Sequence, residues 1–280
     1  MSKALKSSFA GPETGFAMGE LLRQQGEFPQ AASVYAEVLR QDPNFPEAHT
    51  KASYILCKLA DPEDALSEAK AAIAENPDNA EAHRNAGLAL DSEQKFEAGI
   101  AEYKQALRIK PNYPVAHYDL GLLLQNMRDY DDAIVEYKKA IALDPTQANA
   151  HTNLGVIYKE AQGRNSDAVI EFREAKRLNP NDPMTRQNLG AALMMVSAGE
   201  AIRELRELEK MFPTLKCATC AWPMDWSRWA TKRGRKRNIE SLRAGAFGPA
   251  DAHRSGQYSR EREKLRCGAG GISDRGEVGT

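Results

Sequence analysis

Several features that mark membrane proteins, secreted proteins and common enzymes are missing from this sequence. No apolar run approaches the roughly 20 residues that cross a bilayer, and the first residues lack the apolar core of a signal peptide. Only 4 cysteines occur in 280 residues, and they show no paired framework, which fits a reducing compartment. There is no phosphate-binding glycine loop, nucleophile elbow or HExxH motif. These absences favour a cytoplasmic, non-catalytic protein that needs no cofactor and does not enter a membrane.

What the sequence does have is a segment that returns every 34 residues. Residues 80–113 read AEAHRNAGLALDSEQKFEAGIAEYKQALRIKPNY, and the same pattern recurs from residue 114 and, going back, from residue 46. A fixed period of this length is typical of a repeat array. Apolar residues at helical spacing predict one helix from about Glu81 and a second helix over Phe96–Ile109. We expect a turn at Asp91–Glu93 and a helix end before Pro111.

Small residues recur at two positions of the unit, where helices must approach closely. Glycine inside a helix costs about 1 kcal/mol relative to alanine, so a glycine column indicates a tight contact. An aromatic-rich column lies between the two small columns, and each unit ends on a proline. The glycine column is Gly19, Ser53, Gly87, Gly121, Gly155 and Gly190, and the alanine column is Ala31, Ala65, Gly99, Ala133, Ala168 and Ala201. The aromatic column is Tyr35, Tyr103, Tyr137 and Phe172. The proline column is Pro43, Pro77, Pro111, Pro145, Pro180 and Pro213.

This pattern resembles the tetratricopeptide (TPR) repeat, in which two helices form each unit. The resemblance covers residues 12–214, where the fifth unit carries one extra residue and the sixth is one residue short. It implies an all-α solenoid wound as a right-handed superhelix, because stacked neighbours bury each other's apolar faces. Residues 1–11 are expected to form a disordered lead. The six repeats are 12–45, 46–79, 80–113, 114–147, 148–182 and 183–214.

The charge is divided between the repeats and the carboxy-terminal part. Residues 1–213 hold 24 Lys and Arg against 32 Asp and Glu, whereas residues 214–280 hold 14 against 7. We interpret residues 215–280 as a basic tail, rich in glycine and arginine. Three alternatives stay open for it: a short capping helix carrying Trp222, Trp226 and Trp229, a disordered segment, or an aberrant carboxy terminus. The basic cluster at residues 232–237 suggests contact with nucleic acid. We do not favour this function, because no aromatic residues are interleaved with the basic ones.

Histidine and cysteine residues raise the question of a metal site, but their spacing argues against one. Neighbouring helices pack roughly 8–10 Å apart, whereas zinc needs its nitrogen ligands within about 2.1 Å, so histidines on successive units are assigned to packing. Cys217 and Cys220 form a CxxC, yet their separation along the chain from His253 and Cys267 matches no compact zinc module. No metal site is predicted. The histidine column consists of His49, His83, His117 and His151.

In a TPR array the first helices line the concave face, and one column there is rich in asparagine. It resembles the asparagine ladder of the TPR region of O-linked N-acetylglucosamine transferases, which holds a peptide backbone. The segments RNAGLAL, TNLGVIY and QNLGAAL carry this resemblance. An amide can donate to and accept from any backbone, and rungs roughly 8–10 Å apart match about three residues of extended chain. The alternative is that asparagine merely tolerates an exposed helix site. The ladder column consists of Asn85, Asp119, Asn153 and Asn188.

An apolar column lies beside the ladder and predicts the floor of a groove. The sequence therefore predicts a non-catalytic scaffold that binds a protein or peptide ligand, as an extended or helical segment, in the concave groove. One alternative is the substrate-recognition arm of a TPR glycosyltransferase-like system without its catalytic domain. Another is a nucleic-acid adaptor acting through the basic tail. The partner and the oligomeric state are not predicted. The apolar column consists of Tyr54, Leu88, Leu122 and Val156.

Overall fold

A computed structural model of the chain describes residues 11–45 and 47–213. The secondary structure of these residues is helical, with twelve helices and no strand. The expected lead, apart from Gly11, and the basic tail with its tryptophans, its CxxC and its cluster 232–237 lie outside the described residues. The helices are α1 (Pro12–Gln24), α2 (Phe28–Gln41), α3 (Ala48–Lys58), α4 (Pro62–Glu75), α5 (Ala80–Ser92), α6 (Phe96–Ile109), α7 (Pro114–Asn126), α8 (Tyr130–Leu143), α9 (Ala148–Glu160), α10 (Asn165–Leu178), α11 (Pro183–Val196) and α12 (Ala198–Met211).

The twelve helices form six hairpins that stack in chain order. The odd-numbered helix of each hairpin is called its A helix and the even-numbered one its B helix. Each A helix packs on the B helix that follows it, as α5 packs on α6, and also on the B helix before it, as α5 packs on α4. Because every hairpin covers the apolar face of its neighbour, the described residues form the predicted all-α solenoid.

Proline and short polar residues set the ends of these helices. Proline is the first helical residue of α1, α4, α7 and α11, where its missing N–H would be unpaired in any case. Asn79 caps α5 through its side-chain oxygen, and Asp182 caps α11 in the same way. Lys110 precedes Pro111 and leaves the helical conformation, with φ −128° and ψ 85°. The helix predicted over Phe96–Ile109 is observed with those bounds.

The turn between the A and B helices starts later than predicted. It covers Glu93–Lys95 in the third repeat, rather than Asp91–Glu93, because α5 continues to Ser92. Gln94 takes a left-handed backbone conformation with φ 62°, and the backbone N–H groups of Gln94 and Lys95 return to carbonyls of the last helical turn. This is the Schellman arrangement that closes helix ends. In the fifth repeat, which has one more turn residue, Gly163 takes the left-handed position.

The glycine column makes the tight contact that the sequence predicts, and its partner is a side chain rather than a backbone. A Cβ atom on Gly87 would lie 2.8 Å from the nearest ring atom of Tyr103, and one on Gly121 would lie 2.9 Å from the ring of Tyr137. Each ring is fully buried and fills the space that glycine leaves between the two helices of its hairpin. The contacting pairs are Gly19–Tyr35, Gly87–Tyr103, Gly121–Tyr137, Gly155–Phe172 and Gly190–Leu205.

Candidate functional site

One partly buried apolar side chain stands at the same position of four successive A helices. Neighbouring A helices contact each other, from α3 with α5 through to α9 with α11. Leu88 and Val156 pack against the main apolar core, and Lys58 places its Nζ 5.3 Å from the ring centre of Tyr54. Part of each side chain remains accessible to solvent. We call this row the apolar floor, and it consists of Tyr54, Leu88, Leu122 and Val156.

Asn85, the first rung of the predicted ladder, is fully buried rather than exposed. Its Nδ2 donates to the backbone oxygen of Thr50 at 3.0 Å and to Oγ of Ser53 at 2.9 Å, both on the A helix of the preceding repeat. Its Oδ1 is buried and has no partner among the residues that the structure describes. The expectation of an exposed amide at this rung is therefore corrected, because the side chain of Asn85 joins α5 to α3.

Asp119, the second rung, is also buried and forms an ion pair. Its Oδ2 accepts from Nε of Arg84 at 2.6 Å, and both side chains are about nine-tenths covered. Burial raises the pKa of the Asp119 carboxyl, and the neighbouring Arg84 opposes that change. The pair joins α7 to α5, so this carboxylate is also occupied within the array.

The last two rungs, Asn153 and Asn188, keep part of their surface exposed. Nδ2 of Asn153 lies 3.3 Å from the hydroxyl oxygens of both Tyr118 and Tyr137. Oδ1 of Asn188 accepts from Nζ of Lys159 at 3.2 Å. Within the ladder column, these two side chains are thus the partly exposed ones.

The ladder column is therefore first of all a set of contacts between repeats. Each member of the ladder column forms a hydrogen bond with the preceding repeat. In three cases the partner stands one residue before the equivalent position of that repeat. A comparison of equivalent positions, one column at a time, does not reveal this pairing. A signal was present, because Arg84 and Asp119 carry opposite charges and stand one repeat plus one residue apart. The three contacts are Asn85 to Thr50, Asp119 to Arg84, and Asn153 to Tyr118.

The histidine column connects each A helix to its B helix and to the preceding loop. Nδ1 of each histidine lies 2.5–2.7 Å from a glutamate oxygen. In the first three, Nε2 lies 3.0–3.1 Å from the carbonyl oxygen of a proline of the stop column. These contacts support the assignment of the histidines to packing. The glutamates were not predicted from the sequence, although three of them follow their histidine by 19 residues. The groups are His49 with Glu68 and Pro43, His83 with Glu102 and Pro77, His117 with Glu136 and Pro111, and His151 with Glu171.

Neither a metal centre nor a membrane-spanning helix is found in residues 11–45 and 47–213. No group of His, Cys, Asp and Glu side chains there is arranged to hold an ion. No helix in this part of the chain is both long enough and apolar enough to cross a bilayer. Cys57 is partly buried, and burial raises the pKa of its thiol to about 11, which disfavours the reactive thiolate. The predictions for Cys217 and Cys220 concern residues outside the described part.

Comparison with solved structures finds similar helical-repeat proteins. MamA is 29% identical with a TM-score of 0.50, over 58% of this chain and 95% of MamA. A thermophilic TPR protein from Thermus thermophilus is 22% identical with a TM-score of 0.57, over 66% of this chain and all of that protein. Pseudomonas aeruginosa pilF is 19% identical with a TM-score of 0.62, over 72% of this chain and 92% of pilF. The last two similarities concern the fold alone.

Comparison with family profiles identifies the repeats themselves. Profiles described as tetratricopeptide repeat match residues 22–90 and 148–182. A profile described as TPR repeat matches residues 92–127 and 129–161. Curated protein sequences give no match. The profile matches together cover more than half of the chain, and they fall on the stacked hairpins that the structure shows. The chain belongs to the tetratricopeptide-repeat family.

Proposed function

We propose that the chain is a non-catalytic scaffold that binds a peptide or helical segment of a partner protein along its A helices. The apolar floor carries this proposal. Four partly exposed apolar side chains stand at one repeat position on A helices that contact each other, and a set of neighbouring exposed apolar side chains is typical of an interaction site. The family assignment supports the coarser function, because TPR arrays serve as protein-interaction modules.

The amides of Asn153 and Asn188 would bind the backbone of the ligand. Asn153 stands three residues before Val156, so the amide and the floor side chain are neighbours on the surface of α9. In this proposal, only Asn153 and Asn188 act like the asparagine ladder that the column resembles, that of O-linked N-acetylglucosamine transferases. Asn85 and Asp119 are assigned to the indirect role of holding α3, α5 and α7 together, because their side chains are buried.

Two other functions predict different partners for the same chain. If the array is the recognition arm of a glycosyltransferase-like system, a protein recovered with it will carry the catalytic activity. If the chain is a nucleic-acid adaptor, binding of RNA or DNA will fall steeply with salt, because counterions are released from the phosphates. A peptide ligand held mainly by the apolar floor predicts a weak salt dependence.

The test starts from a protein captured by the full chain, from which the bound segment is mapped with peptides. We then expect Leu88→Gln combined with Leu122→Gln to weaken binding of the mapped peptide by about tenfold or more. The estimate assumes about 0.8 kcal/mol for each methylene group withdrawn from water on binding, and tenfold corresponds to about 1.4 kcal/mol. The measurement is fluorescence anisotropy of the labelled peptide.

The matched control removes apolar surface from B helices instead. Val135 and Ile170 are exposed, at 47% and 63%, and occupy one repeat position on α8 and α10. Val135→Gln combined with Ile170→Gln should leave peptide affinity within about twofold of the original chain, since surface changes away from a site have small effects. Both double variants should keep their helical circular dichroism. Equal loss of affinity in the two variants, or no loss in the floor variant, would contradict the proposal.

A further inference from the structure

An open cleft lies between the B helices of the third and fourth repeats. It has a volume of about 670 Å³ and is bounded by the carboxy-terminal halves of α6 and α8, with α7 beneath. Leu107, Leu120 and Leu143 supply apolar lining, and Leu143 is 39% exposed. Neither Asn153 nor Asn188 nor any residue of the apolar floor lines it. The cleft is therefore a surface distinct from the one assigned to the proposed function.

Three cations stand along this cleft: Lys104 and Arg108 on α6, and Lys139 on α8. Lys139 donates to Glu136 at 2.8 Å, whereas Arg108 contacts the neutral amide oxygen of Gln105 at 3.0 Å. Glu136 is the acidic residue of the lining, and its carboxylate is shared between Lys139 and His117. The lining therefore carries a net formal charge of +2 with a neutral histidine, within an array whose first 213 residues have a clear excess of acidic residues.

The repeats supply an internal comparison for this charge. The three cationic positions recur at every junction of neighbouring B helices, because the chain repeats every 34 residues. One junction earlier, the same positions hold Lys70, Ala74 and Gln105. One junction later, they hold Lys138, Ala142 and Glu174. Of these three junctions, the one between the third and fourth repeats is the one with cations at all three positions, so the fold alone does not require them there.

We propose that this cleft binds an acidic peptide segment of a partner protein, with Lys104, Arg108 and Lys139 contacting its carboxylates and the leucines contacting an apolar side chain. Charge complementarity identifies this occupant. The parts of this chain outside the described residues do not fit it. Residues 1–10 contain two lysines and no acidic residue, and residues 214–280 hold 14 basic against 7 acidic residues. The acidic segment therefore comes from another protein.

The experiment uses the full chain and a fluorescein-labelled peptide in which one leucine is flanked by glutamates on both sides. A second peptide replaces every glutamate by glutamine. The cleft variant is Lys104→Gln combined with Arg108→Gln. The control variant is Lys70→Gln combined with Arg40→Gln, which makes the same chemical change at the same two repeat positions in earlier, exposed sites. Both variants thus lose two positive charges from the B-helix surface.

We expect the cleft variant to bind the acidic peptide about fivefold or more weakly, a change of about 1 kcal/mol, since it loses two surface charge contacts. The control should bind like the original chain, and the glutamine peptide should bind weakly to all three. A photo-crosslinker on the acidic peptide should label residues 104–143. Equal losses in both variants, tight binding of the glutamine peptide, or crosslinks confined to the basic residues 214–280 would overturn the proposal.

Discussion

At the scale of single residues, a glycine of the A helix packs against a side chain of the B helix, which is an aromatic ring in four hairpins. At Gly121 the neighbouring ring is that of Tyr137, and an added methyl group would lie 2.9 Å from two ring carbons. Such an approach is closer than van der Waals contact allows, so the ring or the helix would have to move. The residue type at this position is therefore set by packing and not by helix propensity.

We predict that Gly121→Ala destabilises the array by about 1–3 kcal/mol, the usual cost of inserting a group into a filled core. The control is Gly199→Ala in α12, where no heavy atom lies within 4 Å of the new methyl group. There the better helix propensity of alanine should stabilise by up to about 1 kcal/mol. Thermal unfolding followed by circular dichroism measures both. A stabilising effect of Gly121→Ala would show that the ring is free to move aside.

At the scale of helices, the coupling of α5 to α7 depends on one buried charge pair. Removal of either partner leaves the other charge buried without compensation. We predict that Asp119→Leu alone costs about 3–5 kcal/mol, whereas Asp119→Leu combined with Arg84→Met recovers most of the loss, because the charge is then absent on both sides. Unfolding in urea of the single and double variants gives the coupling energy. Additive losses would mean that the ion pair does not join the two helices.

The helices could be predicted from the sequence, whereas the burial of polar side chains between the A helices could not. The bounds of α6 follow from apolar spacing and from Pro111, which act within one repeat. The burial of Asn85 depends on Thr50 and Ser53 of another helix, which lie 35 and 32 residues away in the sequence. Column patterns compare equivalent positions, but contacts between repeats join non-equivalent ones. The sequence predicts a candidate site on the A helices, but it does not reveal which of the polar side chains there are buried between repeats.

At the scale of the whole molecule, His49 makes stability depend on pH. Both ring nitrogens of His49 face acceptors, the carboxylate of Glu68 and the carbonyl oxygen of Pro43, so only the protonated ring can donate to both. Burial lowers the pKa of His49, but Glu68, Pro43 and Glu75 outweigh it, and the pKa is raised overall. The folded state therefore binds the proton more tightly than the unfolded chain does.

Because the pKa of His49 is higher in the folded state than in the unfolded chain, protonation of His49 stabilises the fold. The stabilisation is fully present below the pKa of an unfolded histidine, about 6.5, and is lost as the pH rises through the higher folded value. We predict that the urea midpoint of the chain falls as the pH rises across this range, and that His49→Gln makes this part of the profile flatter. Glu68→Gln should have a similar effect, because it removes the largest of the contributions that raise the pKa of His49. A profile that keeps its slope in both variants would contradict the assignment.

The array should fold without the basic tail, because its six stacked hairpins already cover one another. The described residues up to Pro213 belong to one compact unit, and the last helix buries Ala201 and Leu208 where it packs on α11. We predict that chains ending near Lys216 and soon after Trp229 both show strongly helical circular dichroism and a cooperative thermal transition. If the longer chain alone unfolds cooperatively, the segment with Trp222, Trp226 and Trp229 covers α12 and is required as its cap. If neither chain is helical, stacking of the six repeats is insufficient for folding, and the prediction is wrong.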